Sequence, residues 1–325
     1  MDLHWPQLGA RALCDRASST RDKQRYHDNG CRNQHCGRNS GTSFPCLLKS
    51  RAYNTQDFLS RAGLYADLFS ENALRDGASR RQLQKSALEL YQVARSKKPT
   101  RLHGLIKELS NRGKLLRCYT QNIDMLEAKA GLSTDLNRPG VECVLLHGSL
   151  RLLRCSHCSL TFPLGAYEAE LSAEDDLPCS ECVAYSAARE AKGRRRVSVG
   201  ILLPDVVRIG QQYHTSGEAI ANISHQDQTA GPHFLFIVGT QLKRDGPKNL
   251  VKMFVREIKK KGGMVVYVNL TKPQALWRGL VDYWVKWDCD EWANDLAQRL
   301  FMLRIKRQIY CSSLGSSPEH PILID

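Results

Sequence analysis

Phe234-Leu235-Phe236-Ile237-Val238 and, further on, Met264-Val265-Val266-Tyr267-Val268 are the stretches of sequence that decide the fold. Both are short, continuously apolar and rich in β-branched or aromatic residues, which is typical of strands buried on both faces of a parallel sheet. Between them, the apolar spacing predicts a helix from Pro247 to Lys261, ended by Gly262-Gly263. This alternation predicts an α/β fold built on a parallel sheet.

The remaining elements extend the same alternation in both directions. Apolar residues at helical spacing predict helices, and short apolar runs predict strands. The predicted helices are Gly63 to Leu74, Arg81 to Val93, Thr100 to Asn111, 123 to 131, Ser216 to Ile223 and Glu291 to Leu303. The predicted strands, besides the two above, are Leu115 to Tyr119, Val141 to Leu146, Val206-Val207 and 281 to 287. Residues 1–55 show neither period and are expected to be poorly structured.

Composition limits the class of protein. The chain has 325 residues, of which 42% are hydrophobic, so we expect a folded protein with a substantial core. No apolar run approaches the roughly 20 residues needed to cross a bilayer, and no signal peptide is visible. We therefore expect an intracellular protein with no membrane partner.

The net charge of +14 suits a negatively charged partner such as chromatin or nucleic acid. A solvated basic surface is an equally acceptable interpretation. Two short basic runs, Arg194-Arg195-Arg196 and Lys259-Lys260-Lys261, could face phosphates or belong to a nuclear import signal.

Four of the 12 cysteines have metal-binding spacing, Cys155-x2-Cys158-x20-Cys179-x2-Cys182. Two Cys-x-x-Cys pairs are the pattern of a tetrahedral zinc site, and four thiolates leave no open position. We therefore predict one structural zinc ion. Cys14, Cys31, Cys36 and Cys46 match no common zinc pattern, and the single cysteines are expected to be buried small residues.

Polar residues follow several predicted strands: Thr120 to Asp124, His147, Gly239 to Gln241, and Asn269. The carboxyl ends of parallel strands share one edge of a sheet, where ligands bind. His147 could act there as a general base, although a lone histidine is more often structural. Asn122 and Asp124 could instead cap the short helix that follows them.

Taken together, these residues resemble a sirtuin, an NAD-dependent protein-lysine deacylase. The resemblance runs from about Asp57 to Leu300. It is carried by Tyr119-Thr120-Gln121-Asn122-Ile123-Asp124, Leu146-His147-Gly148-Ser149, the two Cys-x-x-Cys pairs, Val238-Gly239-Thr240, Gly246-Pro247-Lys248-Asn249-Leu250-Val251 and Asn269. The segment from Asp282 to Asp290 is similar to the fungal nuclear branch that deacetylates histones.

The resemblance implies a Rossmann-like parallel sheet domain with an inserted small four-cysteine zinc-binding module, and NAD and zinc as cofactors. It implies a nuclear transferase that acts on acetylated histones or other acetyl-lysine proteins of chromatin and regulates transcription. The acetyl oxygen would displace nicotinamide from NAD to form an alkylamidate, and His147 would be the general base.

The resemblance also assigns roles to the remaining site residues. Cofactor-binding residues would be Gln121, Asn122, Ile123, Asp124, Gly239, Thr240, Gln241, Asn269, Leu270, Thr271 and Cys289. Val207 and Gly210 would pair with the substrate peptide as an added strand. The expected domains are a poorly structured segment (1–55), the NAD-binding domain (56–147 and 201–304), the zinc module (148–200) and a C-terminal tail (305–325).

Departures from the family pattern leave alternatives open. The glycine-rich phosphate loop is not found, and Gln56-Asp57-Phe58-Leu59 stands where the family has Pro-Asp-Phe-Arg. The first strand of the sheet is also expected to be missing. Without the loop, no nest of backbone N–H groups is supplied for the pyrophosphate. A catalytically impaired chromatin-binding module and a truncated gene model of an active enzyme are therefore alternatives. Mono-ADP-ribosyl transfer, which would use the same pocket with a different nucleophile, is a third.

Overall fold

The structure, a computed structural model, describes residues 44–48, 74, 76–173, 176–207 and 216–313. The chain divides into two compact units. The first comprises Met1–Ser50, Thr100–Cys118 and His225–Asp325, and the second comprises Arg51–Pro99 and Tyr119–Ser224. Several predictions fall outside the described residues. They are the helix from Gly63 to Leu74, of which only Leu74 is described, the cysteines Cys14, Cys31 and Cys36, and the substrate residue Gly210.

Eight helices and nine strands are formed within the described ranges. The helices are α1 (Gly77–Ser96), α2 (Arg101–Asn111), α3 (Leu126–Lys129), α4 (Glu168–Leu171), α5 (Ser180–Glu190), α6 (Gly217–Thr229), α7 (Asp245–Lys260) and α8 (Cys289–Ser313). The strands are β1 (Phe44–Leu48), β2 (Leu115–Thr120), β3 (Cys143–Leu145), β4 (Gly148–Cys155), β5 (Thr161–Pro163), β6 (Leu202–Val206), β7 (Phe234–Val238), β8 (Met264–Val268) and β9 (Tyr283–Val285). None of the helices so described has the length and apolar character that a bilayer crossing requires.

A six-stranded sheet in the order β3-β2-β1-β7-β8-β9 forms the centre of the fold. The pairs β1–β7, β7–β8 and β8–β9 are all parallel. β7 and β8 have the predicted bounds and pair in register from Phe234↔Met264 to Val238↔Val268. The predicted α/β fold class is therefore confirmed.

Residues Phe44–Leu48 form a strand between β2 and β7, so the expectation that the first strand is missing is wrong. The polar flanks and Pro45 hid this strand in the sequence, because proline cannot donate to a ladder and argues against a central strand. In the structure the pairing with β7 begins one residue after the proline, at Cys46↔Phe236. Pro45 therefore sits near the start of the strand, where its missing N–H costs no bond in that ladder.

α7 shows why the sequence between the two central strands forms a helix that packs on a sheet. Its buried residues recur three or four positions apart, so they form one apolar stripe. They are Pro247, Leu250, Val251, Phe254, Val255 and Ile258. The basic residues of the last turn favour the negative end of the helix dipole, and Gly262 follows with φ of 67°.

The second unit contains a three-stranded antiparallel sheet, in the order β5-β4-β6. Leu153 and Leu202 of this sheet are fully buried, and they form a core cluster with Leu88 of α1 and three of the metal-type cysteines, Cys155, Cys179 and Cys182. The amide of Gln84 on α1 donates to the carbonyl of Leu202 at 2.8 Å. β6 pairs with β4 in an antiparallel arrangement. The predicted boundaries of the NAD-binding domain and of the zinc module remain predictions.

Several elements have bounds that differ from those predicted. The predicted helix over 123–131 is only Leu126–Lys129, because Met125 adopts a left-handed conformation with φ of 63°. α6 and α8 extend to Thr229 and Ser313, beyond the predicted ends at Ile223 and Leu303.

Candidate functional site

The four cysteines predicted to bind zinc converge in the second unit. All four Sγ atoms lie within 4.8 Å of one another. The Sγ atoms of Cys155 and Cys182 are 3.7 Å apart, and those of Cys158 and Cys179 are 3.8 Å apart. A tetrahedron with metal–sulfur bonds of about 2.3 Å has edges of about 3.8 Å, so the arrangement fits Zn²⁺ held by four thiolates.

Local backbone geometry prepares these sulfurs for a metal. The N–H groups of His157 and Cys158 both point to the Cys155 sulfur, at 3.3 and 3.4 Å. N–H donors of this kind stabilise a thiolate, so they favour the metal-bound form. A Cβ added to Gly200 would lie 2.4 Å from the same sulfur and 2.8 Å from the His157 nitrogen. Only glycine fits at that position without displacing the site.

The cysteine cluster joins a strand to a helix. Cys155 ends β4, Cys179 is the N-cap of α5, and Cys182 lies in the first turn of that helix. The N–H of Cys179 also donates to the carbonyl of Gly200 at 2.8 Å. A metal here would link two separate chain segments, 155–158 and 179–182, in a small module, as a structural zinc does.

The loop after β2 carries the residues predicted to bind the nicotinamide half of NAD. The Asn122 N–H donates to the Thr120 hydroxyl at 3.1 Å, and Asp124 Oδ1 accepts from the N–H of Leu126 at 3.1 Å. The N-cap position of the short helix α3 is Met125, which makes no side-chain cap bond, and Asp124 stands one residue before it and accepts from the first N–H of the helix. Gln121, Asn122 and Ile123 are half-buried, and Asp124 is buried.

Glu127 was not singled out in the sequence, although it directs this loop. It is fully buried on α3, and its Oε1 accepts from the Asn122 side-chain amide at 3.3 Å. Burial, reinforced by the charge of Asp124, raises the pKa of the Glu127 carboxyl to about 7. Burial also raises the pKa of the Asp124 carboxyl above its usual range. The buried carboxyl groups of Asp124 and Glu127 thus lie in the same loop and helix as the half-buried Asn122.

His147 lies beside this loop, as predicted. The backbone connects the two: Leu146 N–H donates to the Thr120 carbonyl at 2.9 Å, and Leu150 N–H donates to the Ile123 carbonyl at 3.2 Å. His147 is half-buried. The structure therefore brings the candidate base and the predicted nicotinamide residues together.

Gly148 fixes the position of His147. It has φ of +77°, and an added Cβ would lie 2.2 Å from the carbonyl oxygen of Asp205. This close approach allows the N–H of Val207 to donate to the His147 carbonyl at 2.9 Å. Asp205 is itself held by Arg154 through two bonds of 2.7 and 2.9 Å. A predicted substrate residue, Val207, is thus bonded to the backbone of the candidate base.

The residues predicted to bind the adenosine half of NAD converge in the first unit. Gly239 follows β7 with φ of 70°, and its N–H donates to the Val268 carbonyl at 2.9 Å. Gln241 is exposed, and its amide donates to the Thr271 hydroxyl at 3.2 Å. The loops after β7 and β8 therefore meet at one edge of the sheet, which is what the prediction requires of them.

Asn269 ties these two loops together. Its Nδ2 donates to the Thr240 carbonyl at 3.3 Å and to the Tyr267 hydroxyl at 3.2 Å. Its Oδ1 accepts from both the N–H and the hydroxyl of Thr271, each at 3.1 Å. The Trp284 indole N–H donates to the Asn269 carbonyl at 2.9 Å. Asn269 is buried, and its side chain holds the backbone of Thr240 and of Thr271 in place.

Two further predicted residues flank this cluster. Leu270 is exposed, with 49% of its surface accessible. Cys289 begins α8, and its sulfur contacts the Val268 carbonyl at 3.9 Å. Both therefore lie at the ends of elements that border the loops, within reach of the same sheet edge.

Two residues that shape the sites, Glu127 and Gly200, had no distinct signal in the sequence, and a third, Gly148, was noted only as part of the motif Leu146-His147-Gly148-Ser149. Glu127 follows Asp124 by three positions, which reads as ordinary capping chemistry. The two glycines look like turn residues until the approach of a second backbone is known. Their importance depends on contacts with residues distant in sequence.

Comparison with known proteins identifies the family. Residues 50–244 match the model of the Sir2 family. The NAD-dependent histone deacetylase HST3 of Saccharomyces cerevisiae is 36% identical over 249 residues, which are 72% of this chain and 56% of that protein. HST4 of the same yeast, also an NAD-dependent histone deacetylase, is 31% identical over 69% of this chain and 65% of its own length. The chain therefore spans a little over half of these relatives.

Solved structures agree with this assignment at the level of fold. A Sir2 homolog in complex with NAD has a TM-score of 0.61 at 18% identity, covering 81% of this chain and 91% of that one. Sir2Tm bound to a propionylated peptide has a TM-score of 0.60 at 17% identity, covering 79% and 92%. The matched region includes β2, His147 and the four cysteines, and the fold agrees over most of the chain. The chain belongs to the Sir2 family of sirtuins.

Proposed function

We propose that this protein is an NAD-dependent protein-lysine deacetylase that acts on acetylated histones in the nucleus. The observation that carries the proposal is that Leu146 and Leu150, on either side of His147 in sequence, are hydrogen-bonded through their backbone N–H groups to the loop 120–124. Support comes from the names of the relatives, which are NAD-dependent histone deacetylases. Chromatin is the partner that histone substrates and the net charge of +14 both favour.

NAD supplies a ribose carbon activated by a nicotinamide leaving group. Asn122 and Asp124 would hold the nicotinamide, with Ile123 beside it, and Gln121 would face the ribose. The fit is favourable because the Asn122 amide is half-buried and is oriented by Glu127. An amide and a carboxyl group offer both a donor and an acceptor to a carboxamide.

The adenosine half would be held by the loops after β7 and β8. Gln241 and Thr271 are exposed and hydrogen-bonded to each other, so their remaining donors and acceptors can meet ribose hydroxyls. Gly239 and Thr240 give the backbone of the turn, and Asn269 orders it. Leu270 and Cys289 would border the adenine.

His147 would take a proton from a ribose hydroxyl as the general base. An imidazole near neutral pH serves this role when its ring is held in reach of the proton. The bond from Val207 to the His147 carbonyl fixes the backbone, and Gly148 permits that bond. Because β6 is an edge strand of its sheet, an acetyl-lysine peptide could add beside Val207 and Gly210.

The test is deacetylation of an acetylated histone peptide with and without NAD. We expect turnover that requires NAD and that is lost in His147→Ala. His225→Ala is the matched control, because His225 is exposed on α6. Turnover that persists in His147→Ala would contradict the proposed base, and turnover without NAD would contradict the reaction class.

A second candidate function is a chromatin-binding module with impaired catalysis. It is favoured by the segment after β1, where no glycine occurs between Leu48 and Gly63. A pyrophosphate normally uses closely approaching backbone N–H groups that glycine permits. Calorimetry with NAD separates the two: measurable affinity with release of nicotinamide supports the enzyme, whereas histone or DNA binding without NAD affinity supports the module. Labelled protein product would indicate ADP-ribosyl transfer.

A further inference from the structure

The end of α5 carries the densest cluster of positive charge in the zinc module. Residues 189–196, called here the arginine turn, hold five basic side chains and one acidic side chain, Glu190. Lys192 and all of Arg194, Arg195 and Arg196 are exposed, and the Arg196 side chain is 73% accessible. The proposed reaction makes no use of this surface.

The turn has a fixed backbone. The N–H of Arg194 donates to the Arg189 carbonyl at 3.0 Å, and the Arg189 guanidinium donates back to the Arg195 carbonyl at 3.2 Å. The buried Ser186 hydroxyl bonds both the N–H and the carbonyl of Val197, at 3.3 and 3.2 Å. The turn is therefore fastened to α5 at its beginning and at its end.

The same helix is anchored at its other end by the metal-type cysteines. Cys179 is the N-cap and Cys182 lies in the first turn, so α5 runs from the proposed zinc to the arginine turn. A rigid presentation lowers the ordering cost of binding, because less backbone freedom is lost when a partner docks. The module thus presents positive charge from a stapled scaffold.

An exposed aromatic ring accompanies the charge. Tyr185 is 60% accessible, and the Arg189 guanidinium lies 6.0 Å from its ring centroid. Among the residues that the structure describes, an ion pair between Glu190 and Arg196 offsets part of the positive charge of the turn, and both its partners are exposed. Exposed pairs of this kind contribute little and are readily exchanged for a stronger anion.

We propose that the arginine turn of the zinc module binds the phosphate backbone of double-stranded DNA. Arginine matches phosphate geometry with two parallel hydrogen bonds, and phosphate contacts supply most of the non-specific affinity of DNA-binding proteins. A basic histone tail would be repelled by this surface, whereas the DNA that accompanies histones in chromatin is attracted to it. The binding is separate from the deacetylation chemistry and does not depend on it.

The experiment measures binding of the full chain to duplex DNA by fluorescence anisotropy over a range of NaCl concentrations. A duplex of about 30 base pairs, roughly three helical turns, is long enough. In the test variant Arg194, Arg195 and Arg196 are all changed to Gln. If two of the three contact phosphates, the slope of log affinity against log salt should fall by about two, and the affinity at 0.1 M salt by on the order of 50-fold.

Two further variants separate this surface from net charge and from folding. Changing Lys252, Arg256 and Lys260 to Gln removes the same charge from the exposed face of α7 and should leave most of the affinity. Changing the three arginines to Lys keeps the charge and should keep the salt slope within about half a unit. Zinc content and circular dichroism of each variant report on folding.

Some outcomes would overturn the proposal. One is an unchanged slope and affinity in the Gln variant of the turn. Another is an equal loss in the α7 control, which would show that binding follows net charge alone. Stronger competition by single-stranded RNA or by an acidic peptide than by duplex DNA, at equal salt, would assign the surface to a different partner.

Discussion

Glu127→Gln should make the second unit more stable, and increasingly so as the pH rises. Gln keeps a side-chain oxygen that can accept from Asn122, and it removes the charge that burial disfavours. The wild-type carboxyl has its pKa raised from 4.5 to about 7 by burial first and by the charge of Asp124 second. The folded state therefore holds a proton that the unfolded state has already released.

The size of the effect follows from the shift of the pKa. Below pH 4.5 the carboxyl is protonated in both states and contributes no pH-dependent difference. Between pH 4.5 and 7 the folded state binds more protons, so wild-type stability falls as the pH rises, and above pH 7 the loss is complete. A shift of this size corresponds to about 3 kcal/mol. The free energy of unfolding of Glu127→Gln should therefore gain up to ~3 kcal/mol on wild type between pH 4.5 and 8.

The assay is urea denaturation of both proteins at several values of pH in this range. The tryptophans of the described residues, Trp277, Trp284, Trp287 and Trp292, all lie in the first unit. Fluorescence would therefore report the wrong unit, and far-UV circular dichroism or hydrogen exchange in α3 should be followed. Glu170→Gln, an exposed carboxyl on α4, controls for the loss of one negative charge.

A difference between Glu127→Gln and wild type that is independent of pH would refute this reasoning. A second variant checks the second cause. Asp124→Asn removes the neighbouring charge, so the pKa of Glu127 should fall and the midpoint of the pH dependence should move to lower pH. No movement of the midpoint would show that burial alone sets the pKa.

Three other substitutions test the geometry of the sites. Gly200→Ala places a methyl group 2.4 Å from a zinc-binding sulfur, so metal analysis should find well below one zinc per chain, and a full complement would contradict the described packing. Gly148→Ala puts a side chain on a residue with a left-handed φ and places its Cβ 2.2 Å from the Asp205 carbonyl oxygen. It should lower the free energy of unfolding by at least ~2 kcal/mol in a denaturation experiment and should abolish NAD-dependent turnover. Wild-type stability in this variant would contradict the close approach. Asp227→Asn removes the carboxylate that accepts two hydrogen bonds from Arg117, at 2.8 and 2.9 Å, in a pair whose side chains are both largely buried. The free energy of unfolding, followed by tryptophan fluorescence, should fall by ~3 kcal/mol. A loss below ~1 kcal/mol would indicate that water replaces the carboxylate.

The parts of the fold that could be predicted from sequence are those whose pattern is local. β7 and β8 are continuous apolar runs, and their bounds were predicted correctly because burial on both faces leaves no polar residue inside them. The four cysteines were found because zinc-binding spacing is set by the turn that brings two sulfurs together. The positions of His147 and of the loop 120–124 followed from where the strands end.

The parts that could not be predicted depend on contacts between distant residues. The four hydrogen bonds of the Asn269 side chain connect two loops, and nothing in its sequence neighbours indicates this saturation. The burial of Glu127 depends on how α3 packs, and a glutamate on a short helix normally faces solvent. The roles of the predicted binding residues stay predictions, because geometry places them without showing what they bind.

The central position of β1 has a consequence for how the chain folds and how it can be divided. Cys46 pairs with Phe236, about 190 residues later, and pairings across such long loops form slowly because loop closure must be paid for first. The family match begins at residue 50 and ends at residue 244, so a fragment cut to it would lose β1, β8 and β9. Without β1, the backbone N–H and C=O groups of β2 and β7 that pair with it would have no strand to pair with. A fragment meant to fold must begin upstream of Phe44, in a region that lies outside the family match.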